Sequence, residues 1–168
     1  MLGLARRAIG WHLAGEDLAR AGLFPRANPP QACFVSLKTR GSNRLRGCIG
    51  TLVPAKACVE EEVVANSVAA ATRDPRFAPV RAEELAGLAI SIDLLSAPEA
   101  VDSPRALDPE RFGVIVRARG RCGVLLPALP GVDSVETQIA ICRDKAGISE
   151  REPATLERFT VQRLSEIG

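Results

Sequence analysis

Cys48 lies in RLRGCIGTL, residues 44 to 52, with Arg46 two positions before it and glycines at 47 and 50. On a regular strand Arg46, Cys48, Gly50 and Leu52 share one face, because side chains alternate. A guanidinium beside a thiol favours the thiolate and lowers its pKa, which makes Cys48 a candidate nucleophile or redox group. Glycine inside a strand sacrifices packing and backbone entropy, so it marks a bulge or a close approach of another group. Two explanations stay open. Either a ligand reaches Cys48 through the gap left by Gly50, or the following Ala-rich helix packs there and Cys48 is an inert small hydrophobe with Arg46 turned to solvent. A bulge at Gly47 would break the alternation and remove the case for pairing Arg46 with Cys48.

A second group follows. Val59, Val63, Asn66 and Ala70 share one helical stripe, which sets a carboxamide on an apolar face. Each unsatisfied buried polar group costs about 1–3 kcal/mol, so Asn66 must bond a neighbouring loop or face a ligand. Ala69, Ala70 and Ala71 allow something to approach that helix closely. In RDPRF, residues 73 to 77, Asp74 and Arg76 flank Pro75 and can pair with each other as a helix-stop network or hold adjacent backbone. The candidate site is therefore Cys48 as the catalytic residue, with Arg46, Gly47, Gly50, Asn66, Asp74 and Arg76 as ligand-binding positions. His12, the one histidine, falls on the N-terminal helix near Glu16, far in sequence from any cysteine it would activate. HExxH, P-loop, GxSxG and GxGxxG patterns are absent, no spacing singles out Asp93 or Asp102, and scattered Cys and carboxylates are a weak metal signal. No metal site and no cofactor are expected.

These residues need elements to hold them. Residues 2 to 22 read as an amphipathic helix with Leu4, Ala8, Trp11 and Gly15 or Leu18 on one stripe, ended by the connector GLFPRANPP. ACFVSLK (32 to 38) and RLRGCIGTL form a hairpin about TRGSN. Lys56 to Thr72 reads as a helix with Glu60, Glu61 and Glu62 in an early turn, where the macrodipole favours acids; the prolines of RDPRFAP stop it. Leu88 to Leu95 is a strand, followed by loop sequence to about Arg111. GVIVRARGRCGVLLP is a second hairpin turning near Arg119 and Gly120. Ser134 to Ala146 is a helix capped by Asp133 or Ser134 and closed by Gly147, and ATLERFTVQRL is a last strand. Both halves run hairpin, LVP or LLP exit, then a helix opening VEEEVV or VETQIA, a pattern that suggests duplicated halves. The order fits an α+β fold of antiparallel hairpins packed with helices.

Composition bounds the function. The 168 residues are most simply one domain over 1–168, 46% hydrophobic and 25% charged, with aromatics at 4%, so Val, Leu, Ile and Ala must build the core. A net charge of +2 from 22 basic and 20 acidic residues gives no field for nucleic acid or anionic lipid, and few aromatics argue against stacking on single strands. Charge-free stretches fall well short of the roughly 20 residues that span a membrane. Arg6 and Arg7 are not followed by an export-type apolar core, so a cytoplasmic location is expected. Five cysteines without CxxC spacing point to reduced thiols.

LRGCIGTL (45 to 52), NSVAAATRDPRF (66 to 77), GVIV (113 to 116), GVLLP (123 to 127) and KAGI (145 to 148) together resemble the AMMECR-type domain, in its bacterial AmmeMemoRadiSam system protein A form. LRGCIG is the most specific of these signatures. The resemblance covers nearly the whole chain and implies a compact α+β domain with internally related halves. It also implies the company of a Memo-like protein of the extradiol-dioxygenase fold and of a radical S-adenosylmethionine protein. The segment SEREPATLERF lacks the tryptophan often found there in the family, which bears on the partner surface of that segment. The preferred function is an accessory or ligand-binding component presenting a cleft near Arg46, Cys48 and Asn66. The alternative is a cysteine-dependent enzyme with Cys48 as nucleophile, and a nucleic-acid role ranks last.

Overall fold

Apolar residues alternate along Cys33–Thr39, and Cys33, Val35 and Leu37 are fully buried on one side of the resulting strand. This strand is the centre of the first of two sheets in a computed structural model that describes residues 1–16 and 28–166. In chain order the elements are α1 (Leu2–Leu13), β1 (Cys33–Thr39), β2 (Leu45–Gly50), α2 (Val59–Thr72), β3 (Leu88–Leu95), β4 (Glu99–Val101), β5 (Gly113–Ala118), β6 (Arg121–Leu125), α3 (Val135–Ala146), β7 (Thr155–Phe159) and β8 (Val161–Ser165). Short 3-10 turns occupy Ala82–Gly87 and Pro104–Ala106. The fold is α+β, helices against antiparallel hairpins, as expected.

The chain divides into two compact units, Met1–Leu95 with Gln162–Gly168, and Ser96–Val161. In the first, the strand order is β2-β1-β3-β8; in the second it is β4-β7-β5-β6. Each unit thus has a hairpin followed by a helix, with the next strand pairing antiparallel to the hairpin's first arm. The fourth strands are exchanged: β4 follows β3 but pairs with β7, and β8 follows β7 but joins β3. Both units also use one packing device. A Cβ placed on Gly47 of β2 would lie 2.1 Å from the Ala70 carbonyl oxygen of α2, and one on Gly123 of β6 would lie 1.8 Å from that of Cys142 in α3. Only a missing side chain lets each helix backbone come so near its strand.

The stretch expected as loop to about Arg111 instead holds β4, paired with β7, and the Pro104–Ala106 turn; three boundaries also differ from expectation, each for a local reason. Gly15 takes a left-handed φ of +76°, and the N–H groups of Gly15 and Glu16 turn back to His12 and Trp11, so α1 ends at Leu13. The rest of the helix expected over 2–22, and the connector as far as Ala27, lie outside the described residues. The second helix begins at Val59, not Lys56, because buried Glu62 accepts from the N–H groups of Ala55 and Lys56, both at 2.8 Å, and from the Thr51 hydroxyl at 2.6 Å. Those contacts hold the loop against the helix. The single last strand breaks at Thr160, whose carbonyl and N–H both bond Ser96 at 3.0 Å, and its two parts join different sheets. By contrast, the β5–β6 turn falls at Arg119 and Gly120 as expected, both with positive φ. The α3 termini also agree: Ser134 Oγ accepts from Thr137 N–H, and Gly147 is left-handed at φ +63°.

One carboxylate adds to the pairing of β8 with β3. Glu166 accepts from the Arg6 guanidinium, from Arg40 at 2.8 Å and from the Ile90 N–H at 3.1 Å, tying the end of β8 to α1 and β3. No helix among the described residues is long and apolar enough to cross a membrane.

Candidate functional site

The two glycines around Cys48 serve different contacts. Gly47 pairs with Leu37 and faces α2, where the Ala-rich helix packs on it. Cys48 therefore points to the opposite side of the sheet. Gly50 shares that side, but its gap is filled: a Cβ there would lie 2.3 Å from the ring of Phe34, its cross-strand partner. The ligand channel through Gly50 is closed by Phe34. What remains beside Cys48 is Ser36, its partner on β1, whose hydroxyl donates to the sulfur at 3.1 Å.

Arg46 is not the cation that Cys48 meets. The β1–β2 register passes from Leu37 opposite Gly47 to Lys38 opposite Leu45, so Arg46 is the extra residue of a bulge one position before Gly47. Its guanidinium turns to Glu84, with Nε at 3.0 Å, and donates to the carbonyls of Ala78 and Pro79. The expectation that Arg46 activates Cys48 is corrected by this geometry. Arg46 binds β2 to the segment entering β3, and its charge holds the Glu84 carboxyl below the usual glutamate value.

Arg76 takes that place. Its Nε and Nη2 form a two-pronged pair with Asp74 at 3.0 and 2.7 Å, and its own N–H also bonds that carboxylate at 3.1 Å. Asp74 reaches further and accepts from the Cys48 N–H at 2.8 Å. One buried carboxylate thus joins the helix-stop loop to the outer edge of β2. The Arg76 pairing, then the backbone bonds from Cys48 and Arg76, hold Asp74 far below the usual aspartate range despite burial. Arg76 itself stays 57% exposed and lies over the Phe77 ring.

The thiol responds mainly to burial. Desolvation lifts Cys48 above the ordinary thiol value; the Ser36 hydrogen bond and the Arg76 charge pull downward without offsetting it, and Asp74 and Asp93 add to the rise. At neutral pH this sulfur is an S–H, a weak donor and acceptor, and not the thiolate that nucleophilic attack needs. Two other cysteines are buried more deeply, Cys33 pushed up to about 11 and Cys142 to about 12 by desolvation.

Asn66 is 5% exposed on the apolar stripe, as expected, and its carboxamide donates to the Cys33 carbonyl at 3.0 Å. It joins α2 to β1 on the side of the sheet away from Cys48. The structure therefore brings together Cys48, Asp74 and Arg76, while Gly47 faces α2 and Arg46 and Asn66 brace the same strands from elsewhere. Ser36 went unnoticed in the sequence, because only the hairpin register sets it opposite Cys48. Asp93 had no assigned partner either; it pairs with Arg163 of β8 at 2.6 Å, a contact between residues 70 apart.

The AMMECR1 family model matches residues 2–164. A Thermotoga maritima protein is 49% identical over 132 residues, covering 77% of this chain and 75% of that one. A Clostridium acetobutylicum protein is 44% identical over 133 residues, 79% of this chain, and there the match spans only 28% of the longer relative. The crystal structure of an uncharacterised Pyrococcus horikoshii protein superposes with a TM-score of 0.86 at 29% identity, covering 99% of this chain and 89% of that one.

Proposed function

The chain belongs to the AMMECR1 family, and from that premise we propose that it is an accessory, ligand-binding component that works beside a Memo-like protein and a radical S-adenosylmethionine protein. Its binding surface is the outer edge of β2, with Cys48, Ser36 and Arg76 presented and Asp74 holding them; Gly47, Gly50, Arg46 and Asn66 shape the strands beneath. One observation carries this reading: the Asp74 carboxylate bonds Cys48 N–H and Arg76 together, leaving a half-exposed guanidinium next to a neutral sulfur. Such a site offers fixed donors to an anionic or carbonyl group. It offers no ready nucleophile. The Clostridium relative adds support, since its matching region is a minor part of a much longer polypeptide, as suits a component that acts with other domains.

The test is a titration of the purified chain against a Memo-like protein from the same genome, followed by calorimetry. A complex is expected that Arg76→Ala weakens by about tenfold or more, as loss of a charge-assisted bond worth about 1.5–3 kcal/mol requires, and that Cys48→Ser keeps. No complex, or one indifferent to Arg76→Ala, contradicts the proposal. Intact association with turnover lost only in Cys48→Ser would give the site to the cysteine-dependent enzyme instead.

A further inference from the structure

On the sheet face opposite α1 and α2, the register of β2, β1 and β3 sets side chains in three rows. Gly50, Phe34 and Asp93 form the first, Cys48, Ser36 and Ser91 the second, and Leu45, Lys38 and Ala89 the third. The middle row holds only small polar side chains. Larger groups flank it: the Phe34 ring lies over Gly50 on one side, and Leu45 and Lys38 rise on the other. The result is a trough across three strands, about 10 Å long at the usual strand spacing, with the Asp93 and Arg163 pair beside its β3 end.

Polar groups in the trough have bonding capacity left over. Ser36 gives its proton to the Cys48 sulfur at 3.1 Å, and its oxygen keeps lone pairs for a donor. The Ser91 hydroxyl and the Lys38 ammonium have no hydrogen-bond or ion-pair partner among the described residues, although both residues are half-buried. Neighbouring charges are matched, Asp93 with Arg163 and Asp74 with Arg76. Lys38 is therefore an unmatched cation beside two hydroxyls.

We propose that this trough binds a small carboxylate carrying an apolar body. The carboxylate meets Lys38 Nζ and the Ser91 hydroxyl, and no existing ion pair has to open for that charge-assisted bond to form. The body lies over Cys48, between the Phe34 ring and Leu45, a large apolar side chain that is otherwise exposed. One ammonium among neutral hydroxyls suits a single negative charge better than a phosphate, which arginine forks bind in pairs. This deepens the reading of the Cys48 side as a ligand surface and rests on that part of it alone, not on the protein partner.

The full chain, labelled with nitrogen-15, is titrated with benzoate, benzamide and acetate at constant ionic strength, and its amide shifts are followed by NMR. Benzoate is expected to saturate, with shifts centred on Ser36, Cys48 and Ser91. It should bind about tenfold or more tightly than benzamide, which lacks the charge, and than acetate, which lacks the body. Lys38→Met keeps an unbranched stem, so the melting temperature should hold while benzoate affinity falls about tenfold or more. Failure of benzoate to saturate, shifts centred elsewhere, equal binding of benzamide, or an affinity unchanged in Lys38→Met overturns this inference and leaves the Arg76-dependent partner complex standing. Absence of that complex, with benzoate bound by the parent and lost in Lys38→Met, overturns the partner reading and supports the trough.

Discussion

Gly47→Ala is expected to destabilise the protein by about 3 kcal/mol or more, at or beyond the upper end of ordinary overpacking. The added methyl would lie 2.1 Å from the Ala70 carbonyl oxygen and 3.1 Å from its carbon. Both belong to helix backbone, so no side-chain rotation relieves the clash; α2 must lift from β2 as a unit. That movement also pulls on the Asn66 bond to Cys33 and on Glu62, which is buried and holds the loop after β2. Against a total stability of about 5–15 kcal/mol for a domain, the loss is large. Gly123→Ala is expected to do the same through Cys142 of α3, where the approach is closer still. Gly3→Ala is the control: its Cβ meets nothing within 4 Å on an exposed helix position, so it should match or exceed the parent by up to about 1 kcal/mol. Urea unfolding of the three variants decides the matter, and a Gly47→Ala protein as stable as Gly3→Ala would show that the approach of α2 is not tight.

Asp74→Ala should cost about 3 kcal/mol, the scale for removing a buried charged partner of several hydrogen bonds. The change frees the Cys48 N–H, the Arg76 N–H and the guanidinium together. Its pH dependence has a definite sign. The folded Asp74 carboxyl is held below its unfolded value, so its contribution is complete above the ordinary aspartate pKa of about 4 and is lost as the pH falls below that toward the folded value. Glu84 and Glu166 also sit low, next to arginines, but both proteins keep them, and their acid loss cancels in the difference. Unfolding free energies of parent and variant should therefore differ by a constant amount from pH 5 to 8 and converge below about 4. A gap that widened in acid would contradict the clamp.

Much of this architecture could be read from short-range pattern. Runs of β-forming residues mark β1 and β3, the Arg119–Gly120 pair marks the second hairpin turn, and the glycines of β2 before an Ala-rich helix offer its close approach as one of two explanations. The candidate site was read less completely, because its contacts depend on register. Alternation alone set Arg46 beside Cys48, and one extra residue in β2 sent it to Glu84 instead. Ser36 bonds the sulfur from another strand and the Arg76 charge acts on it from another loop, at separations that no local spacing encodes. The end of α1 at Leu13 and the break at Thr160 escape the sequence for a related reason: each is decided by backbone bonds, not by side-chain periodicity.

The most direct measurement is the rate of iodoacetamide alkylation at Cys48 against pH, followed by peptide mass mapping with exposed Cys122 as the reagent control in the same sample. A neutral, hydrogen-bonded thiol predicts that Cys48 lags Cys122 at neutral pH and that its titration midpoint lies above that of free cysteine in the same buffer. A midpoint below that of free cysteine, with Cys48 the first thiol to react at pH 7, would mean that the site holds a thiolate and that its business is covalent chemistry.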